Sequence, residues 1–95
     1  METLPVVNNE EKQRFEMHVN GEVAVLLYKE QADHITLVET LVPPALEGRG
    51  IGSSLARAGL EYAREHGLSV TPQCPFVRRY LEKHPEYQDV IKGNR

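Results

Sequence analysis

The chain has 95 residues, 40% of them apolar and 26% charged, with a formal net charge of −3. That length supports a single domain, residues 1–95, around one modest core, and the acidic balance argues against nucleic acid or an anionic membrane as its main partner. No apolar run approaches the roughly 20 residues of a membrane helix, and the lone cysteine, Cys74, excludes an internal disulfide framework.

Residues 1–11 are polar and weakly patterned, leaving open either a frayed end or a short leading strand. Phe15, Met17 and Val19 then alternate with Arg14, Glu16 and His18, the period of a half-buried strand. Asn20-Gly21 is a hairpin signal, because both residues tolerate the positive φ of a type I′ turn. The return strand, residues 22–29, is apolar on both faces, with Val23, Val25 and Leu27 opposed to Ala24, Leu26 and Tyr28. It reads as central or covered. Residues 31–33 turn the chain into a third strand, 34–42, and Pro43-Pro44 ends its pairing.

The period then changes. Ile51, Leu55, Ala58, Gly59, Tyr62 and Ala63 form one stripe of a helix over residues 51–66, with Arg57 and Glu61 as an i, i+4 pair on the polar side. Gly67 is a natural left-handed stop. Residues 68–71 read as a short strand returning parallel to the third. Pro75 opens a last helix with Phe76, Val77, Tyr80, Leu81 and His84 on one face, and Pro85 ends it. Residues 86–95 read as a short helical turn and a frayed end. The expected fold is α+β in the order βββ-α-β-α, a mostly antiparallel sheet with one parallel strand pair; if that pair splays, the glycine turn and the strand end before Cys74 open on one cleft.

Between the third strand and the first helix lies the most chemical segment, Leu46-Glu47-Gly48-Arg49-Gly50-Ile51-Gly52-Ser53-Ser54-Leu55. Glycines at every second position let main-chain N–H groups approach a ligand, and the helix aims its unpaired amides and positive dipole end at the same place. Phosphate or pyrophosphate suits such a mouth. A Walker loop is ruled out because Gly52-Ser53-Ser54 lacks its lysine, and a Rossmann fingerprint fits poorly after several strands. The bland alternative is a tight strand-to-helix connection.

Cys74 precedes Pro75 at the cap of the last helix, with Arg78 and Arg79 one turn on, a setting that favours thiolate. Against this, a free cysteine commonly serves as a small buried hydrophobe. Tyr80 is either a proton donor to a leaving thiolate or a core tyrosine. His18, His34 and His66 read as surface residues, His84 as packed or partly exposed, and one His/Cys pair is too little for a zinc site.

These motifs resemble those of the GNAT acetyltransferase superfamily, and more closely its minimal single-domain members with a Cys-Pro motif. The likeness is carried by residues 42–52, 74–81 and 84–87 and extends over roughly residues 14–90. It implies a GNAT-like fold, with the parallel strand pair splayed at the CoA site, and acetyl-CoA as bound cofactor. By the same resemblance Arg49, Gly50, Ile51, Gly52, Ser53 and Ser54 would cradle the pyrophosphate, and Leu41 and Val42 would run beside the thioester, with a main-chain N–H near Leu41 polarising its carbonyl. Cys74, Pro75 and Tyr80 would complete the cofactor site, Cys74 as acetyl acceptor or positioning thiol.

Two positions depart from the family pattern. Glu47 stands where Gln or Arg is usual and is expected to point outward, away from the pyrophosphate. Glu39-Thr40 replaces a His-Thr pair, so that Glu39, placed by alternation beside Ile35, Leu37 and Leu41, becomes either a substitute base or a strand-end carboxylate in water. The implied activity is acetyl transfer to an unidentified amine, with Cys74, Glu39 and Tyr80 as candidate catalytic residues, in a cytoplasmic monomer or weak homodimer. Two alternatives stand beside it: a non-catalytic CoA or acyl-CoA module or sensor, and a thiol redox sensor built on Cys74.

Overall fold

The computed structural model describes residues 5–91. Its sheet has five strands in sequential order: β1 (Val7–Asn9), β2 (Arg14–Val19), β3 (Glu22–Gln31), β4 (His34–Leu41) and β5 (Ser69–Pro72). The helices are α1 (Ile51–Glu65), α2 (Pro75–Lys83) and the one-turn α3 (Gln88–Ile91), with 3-10 turns at Pro44–Leu46 and Pro85–Tyr87. β1 settles the open question at the N-terminal end in favour of a leading strand, while residues 1–4 and 92–95 of the two expected frayed ends lie outside the described residues. The strand count is thus one more than βββ-α-β-α, and the α+β class with one parallel pair, β4 with β5, holds.

The first hairpin follows from local chemistry. Asn20 and Gly21 have φ of 51° and 81°, the pair of left-handed residues a type I′ turn requires. β2 and β3 then pair from Val19↔Glu22 to Arg14↔Leu27. Phe15, Met17, Ala24, Leu26, Tyr28, Ile35, Leu37 and Val70 share one face and are buried against α1, α2 and α3 in a single cluster with Leu55, Leu60, Val77, Leu81 and Val90. β3 is central in the sheet, but among the described residues nothing covers its second face, where Val7, Val23 and Leu41 stay exposed. Among the described residues no helix is long and apolar enough to cross a membrane.

On that uncovered face Glu16 is nonetheless buried. Its carboxylate accepts from Arg14 Nε at 2.5 Å and Asn9 Nδ2 at 3.0 Å, and lies 3.0 Å from His18 Nε2. These partners, Arg14 foremost, hold its pKa down to about 2. The polar side of α1 is also arranged differently from the sequence pattern. Glu61 accepts from the Tyr87 hydroxyl at 2.5 Å and stands 3.8 Å from Arg64, rather than pairing with Arg57. Arg64 in turn donates to Asp89 at 2.9 Å, which ties the C-terminal turns to α1. A carboxylate with a buried phenol and a second cation in reach has no reason to stay with a solvated arginine.

Candidate functional site

β4 makes the site by losing a neighbour and changing parity. Its pairing with β5 runs from His34↔Ser69 to Leu37↔Pro72, and one further bond, Cys74 N–H to the Leu37 carbonyl at 2.9 Å, closes it. Beyond that point residues 39–41 pair only with β3, so one backbone edge of β4 faces open space. The register also slips there: Tyr28 opposes Leu37 and Leu27 opposes Glu39, leaving Val38 as an extra residue. Such a bulge reverses which residues face which side.

The reversal corrects the expected placement of Glu39. It does not share a face with Ile35 and Leu37. It lies with Leu41 on the outer, uncovered face and is exposed, opposite Leu27 and Val25. Thr40 takes the inward position instead, opposite Leu26, and its Oγ1 meets Cys74 Sγ at 3.2 Å. Cys74 is 2% exposed and caps α2 without a side-chain bond to that helix. Arg78 turns from the thiol to donate to the carbonyls of Gln73 and Pro72, at 3.1 and 3.4 Å.

A cleft of about 910 Å³ opens between these strand ends and the mouth of α1. It brings together Glu39, Leu41, Val42, Gly50, Ile51, Gly52, Ser53, Cys74 and Pro75 from among the expected residues. Thr40, Phe76 and Arg79 also line it, unanticipated as site residues, together with Val23, Pro43, Leu46 and Gly48. In the sequence Phe76 stood on the apolar face of the Cys-Pro helix and Arg79 one turn from the thiol, and that both border a cleft depends on how α2 packs against α1. Arg49 and Ser54 do not line the cleft, and neither does Tyr80. The Tyr80 ring is stacked on His84 at 4.1 Å and is half-buried. Burial raises its phenol pKa, with Arg57 opposing that effect. Glu47, expected to point away, is exposed and forms part of the wall.

The glycines of the turn divide the work. Gly48 and Gly50 have φ of 81° and 74°, and an added Cβ at either would meet nothing within 4 Å. They are there for the left-handed turn. Gly50 is the N-cap of α1, so no cap side chain occupies the first amides, and no acidic residue stands in the first turn. Those N–H groups and the positive helix end point at the cleft. Gly52 is helical, and a Cβ there would lie 2.8 Å from Phe76 Cζ. Its bare backbone makes room for the neighbouring helix, which corrects the reading that all three glycines serve ligand approach.

A family model described as GCN5-related N-acetyl-transferase matches residues 14–90. The chain belongs to that family. A solution structure of a GCN5-like protein from Staphylococcus aureus shares its fold with a TM-score of 0.71 and 31% identity, over 95% of this chain and 89% of that one. Protein NATD1 of Mus musculus is 34% identical over 85 residues, covering 86% of this chain and 77% of its own length. Protein NATD1 of Danio rerio is 30% identical over 93 residues, 93% and 84% of the two chains. The family thus accounts for the mixed five-stranded sheet, and the break between β4 and β5 falls inside the matched segment.

Proposed function

We propose that this protein binds acetyl-CoA in the β4–β5 cleft and transfers the acetyl group to an amine. The observation that carries the reading is the meeting of two unsatisfied backbone sets in one cavity: the uncapped amides of α1 and the unpartnered edge of β4. The first suits a diphosphate. The second, near Leu41, suits an extended amide-bearing arm and the thioester carbonyl at its end. When bound, the cofactor supplies an activated acyl group. The exposed Glu39 carboxylate accepts the proton that the attacking amine must lose.

Cys74 sits at the inner end of the cleft with its sulfur held by Thr40. Two routes use that sulfur. In one, the amine nitrogen attacks the thioester carbon, the carbon–sulfur bond breaks, and the Cys74 thiol, which lines the cleft, protonates the departing CoA thiolate. In the other, Cys74 Sγ attacks the thioester carbon and its proton passes to the CoA thiolate that departs; the amine then displaces the acetyl group from Sγ, which regains a proton as Glu39 takes the one the amine loses. Calorimetric titration with acetyl-CoA and CoA tests the binding, and the rate of free-thiol release in the wild type, Cys74→Ala and Glu39→Gln tests the chemistry. An acetyl adduct on Cys74 by mass analysis selects the second route. No heat of binding at saturating acetyl-CoA removes the whole reading, and full turnover in both variants removes the assigned roles.

A further inference from the structure

Arg79 is exposed on α2, one turn past Phe76, and forms part of the cleft wall. Its guanidinium carbon stands 5.9 Å from the centre of the Phe76 ring. That ring rests on Gly52 in the first turn of α1, with Cζ 2.8 Å from where a Cβ would be. The tip of the ring thus meets the first turn of α1, while the guanidinium lies over the ring. Among the described residues no carboxylate pairs with Arg79, and the cleft wall holds no second cation. It does hold two carboxylates, Glu39 and Glu47. The helix end contributes only about half a positive charge, so without Arg79 the wall would repel the phosphates of a CoA thioester.

We infer that Arg79 is the phosphate-binding cation of this site, and that Gly52 and Phe76 are its positioning residues. The inference rests on the acetyl-CoA reading above. A guanidinium presents a planar fork that matches two phosphate oxygens, and an aromatic ring beneath it holds the cation at the cleft before ligand arrives. Glycine at 52 is what lets the ring lie close enough to the amide-bearing turn for both donors to reach one ligand.

The test is ligand truncation on the full chain. Wild type, Arg79→Gln, Arg79→Lys and Phe76→Leu are titrated with CoA, with dephospho-CoA and with pantetheine, by calorimetry or, for weak binding, by amide chemical shifts. Arg79→Gln should weaken CoA about tenfold or more and leave pantetheine unchanged, with Arg79→Lys recovering part of the loss. Phe76→Leu should show a smaller loss on CoA and none on pantetheine, which a merely structural role would not produce. If dephospho-CoA loses affinity as CoA does, the contact is to the diphosphate. If dephospho-CoA binds Arg79→Gln and wild type alike, the contact is to the 3′-phosphate, and both results support the assignment. Equal losses on CoA and pantetheine, or no loss on CoA, overturn it while the acetyl-CoA reading stands. Failure of wild type to bind CoA overturns both.

Discussion

Replacing Gly50 and Gly52 by alanine, one at a time, should give two different results from positions only two residues apart. At Gly50 the added methyl meets open space, but φ of 74° must be held by a residue with a Cβ. That conformation costs about 1–2 kcal/mol, and the position precedes the helix, so no helical propensity offsets it. At Gly52 the backbone is helical, and alanine gains up to about 1 kcal/mol over glycine there. Against this, Phe76 Cζ must retreat from 2.8 Å to ordinary contact near 3.4 Å, with Cε1 and Cε2 already at 3.2 Å. Cζ is the far end of a half-buried side chain at the cleft edge, so the displacement costs about 1 kcal/mol, the low end for overpacking. The two effects nearly cancel.

For a domain of this size 1 kcal/mol moves the melting temperature by about 4–8 °C. Gly50→Ala should therefore lower the midpoint clearly, and Gly52→Ala by only a few degrees in either direction, both read by circular dichroism. The decisive arm is the cycle with Phe76→Leu, because removing the ring should turn Gly52→Ala stabilising while leaving Gly50→Ala as costly as before. If Gly52→Ala destabilises equally in both backgrounds, the ring is not what requires glycine at that position. If Gly50→Ala is neutral, the left-handed cap carries no cost and the division of labour between the glycines fails.

Two pH effects follow from the titratable groups. Glu16 is held at about 2, against 4.5 for an ordinary glutamate, by Arg14, His18 and Asn9. The stability it contributes is fully present above about 4.5 and is lost as pH falls toward 2. Urea midpoints measured from pH 2 to 7 should show an acid limb that flattens in Glu16→Gln, and an unchanged limb would refute the assignment. At the alkaline end, burial first, and then hydrogen bonds to Glu30 and Glu61, push Tyr62 and Tyr87 up to about 12. The unfolded chain ionises near 10, so stability should fall as pH rises from 10 to 12. Absorbance at the phenolate band should keep both phenols protonated while the fold lasts, and Tyr62→Phe and Tyr87→Phe should each relieve part of the alkaline loss.

How much of this was legible in the chain depends on the range of the interaction. Asn20-Gly21 and Gly67 were readable because the requirement for positive φ is local, and the observed values of 51°, 81° and 66° meet it. The alternation of Phe15, Met17 and Val19 was readable because one face is dry along the whole of β2. What alternation cannot report is an inserted residue, since period two continues on either side of Val38 with its phase reversed and only the partner strand reveals the slip. Gly48, Gly50 and Gly52 look equivalent in sequence for a similar reason: the ring that singles out Gly52 arrives from residue 76, on another helix.

The unreadable feature is also the one that organises the site. Without the bulge, Glu39 would face the core beside Ile35 and Leu37, and Thr40 would face solvent. With it, two consecutive residues of one strand serve opposite sides of the sheet: Thr40 inward, 3.2 Å from the Cys74 sulfur, and Glu39 outward, beside the exposed Leu41 and Val23. In the acetyl-transfer reading proposed above, the attacking nitrogen loses a proton and the leaving sulfur gains one, and the two groups proposed to serve them stand on opposite sides of β4. A single extra residue in β4 thus places a thiol and a carboxylate on the two sides of one backbone, where a straight strand would have put that carboxylate in the core.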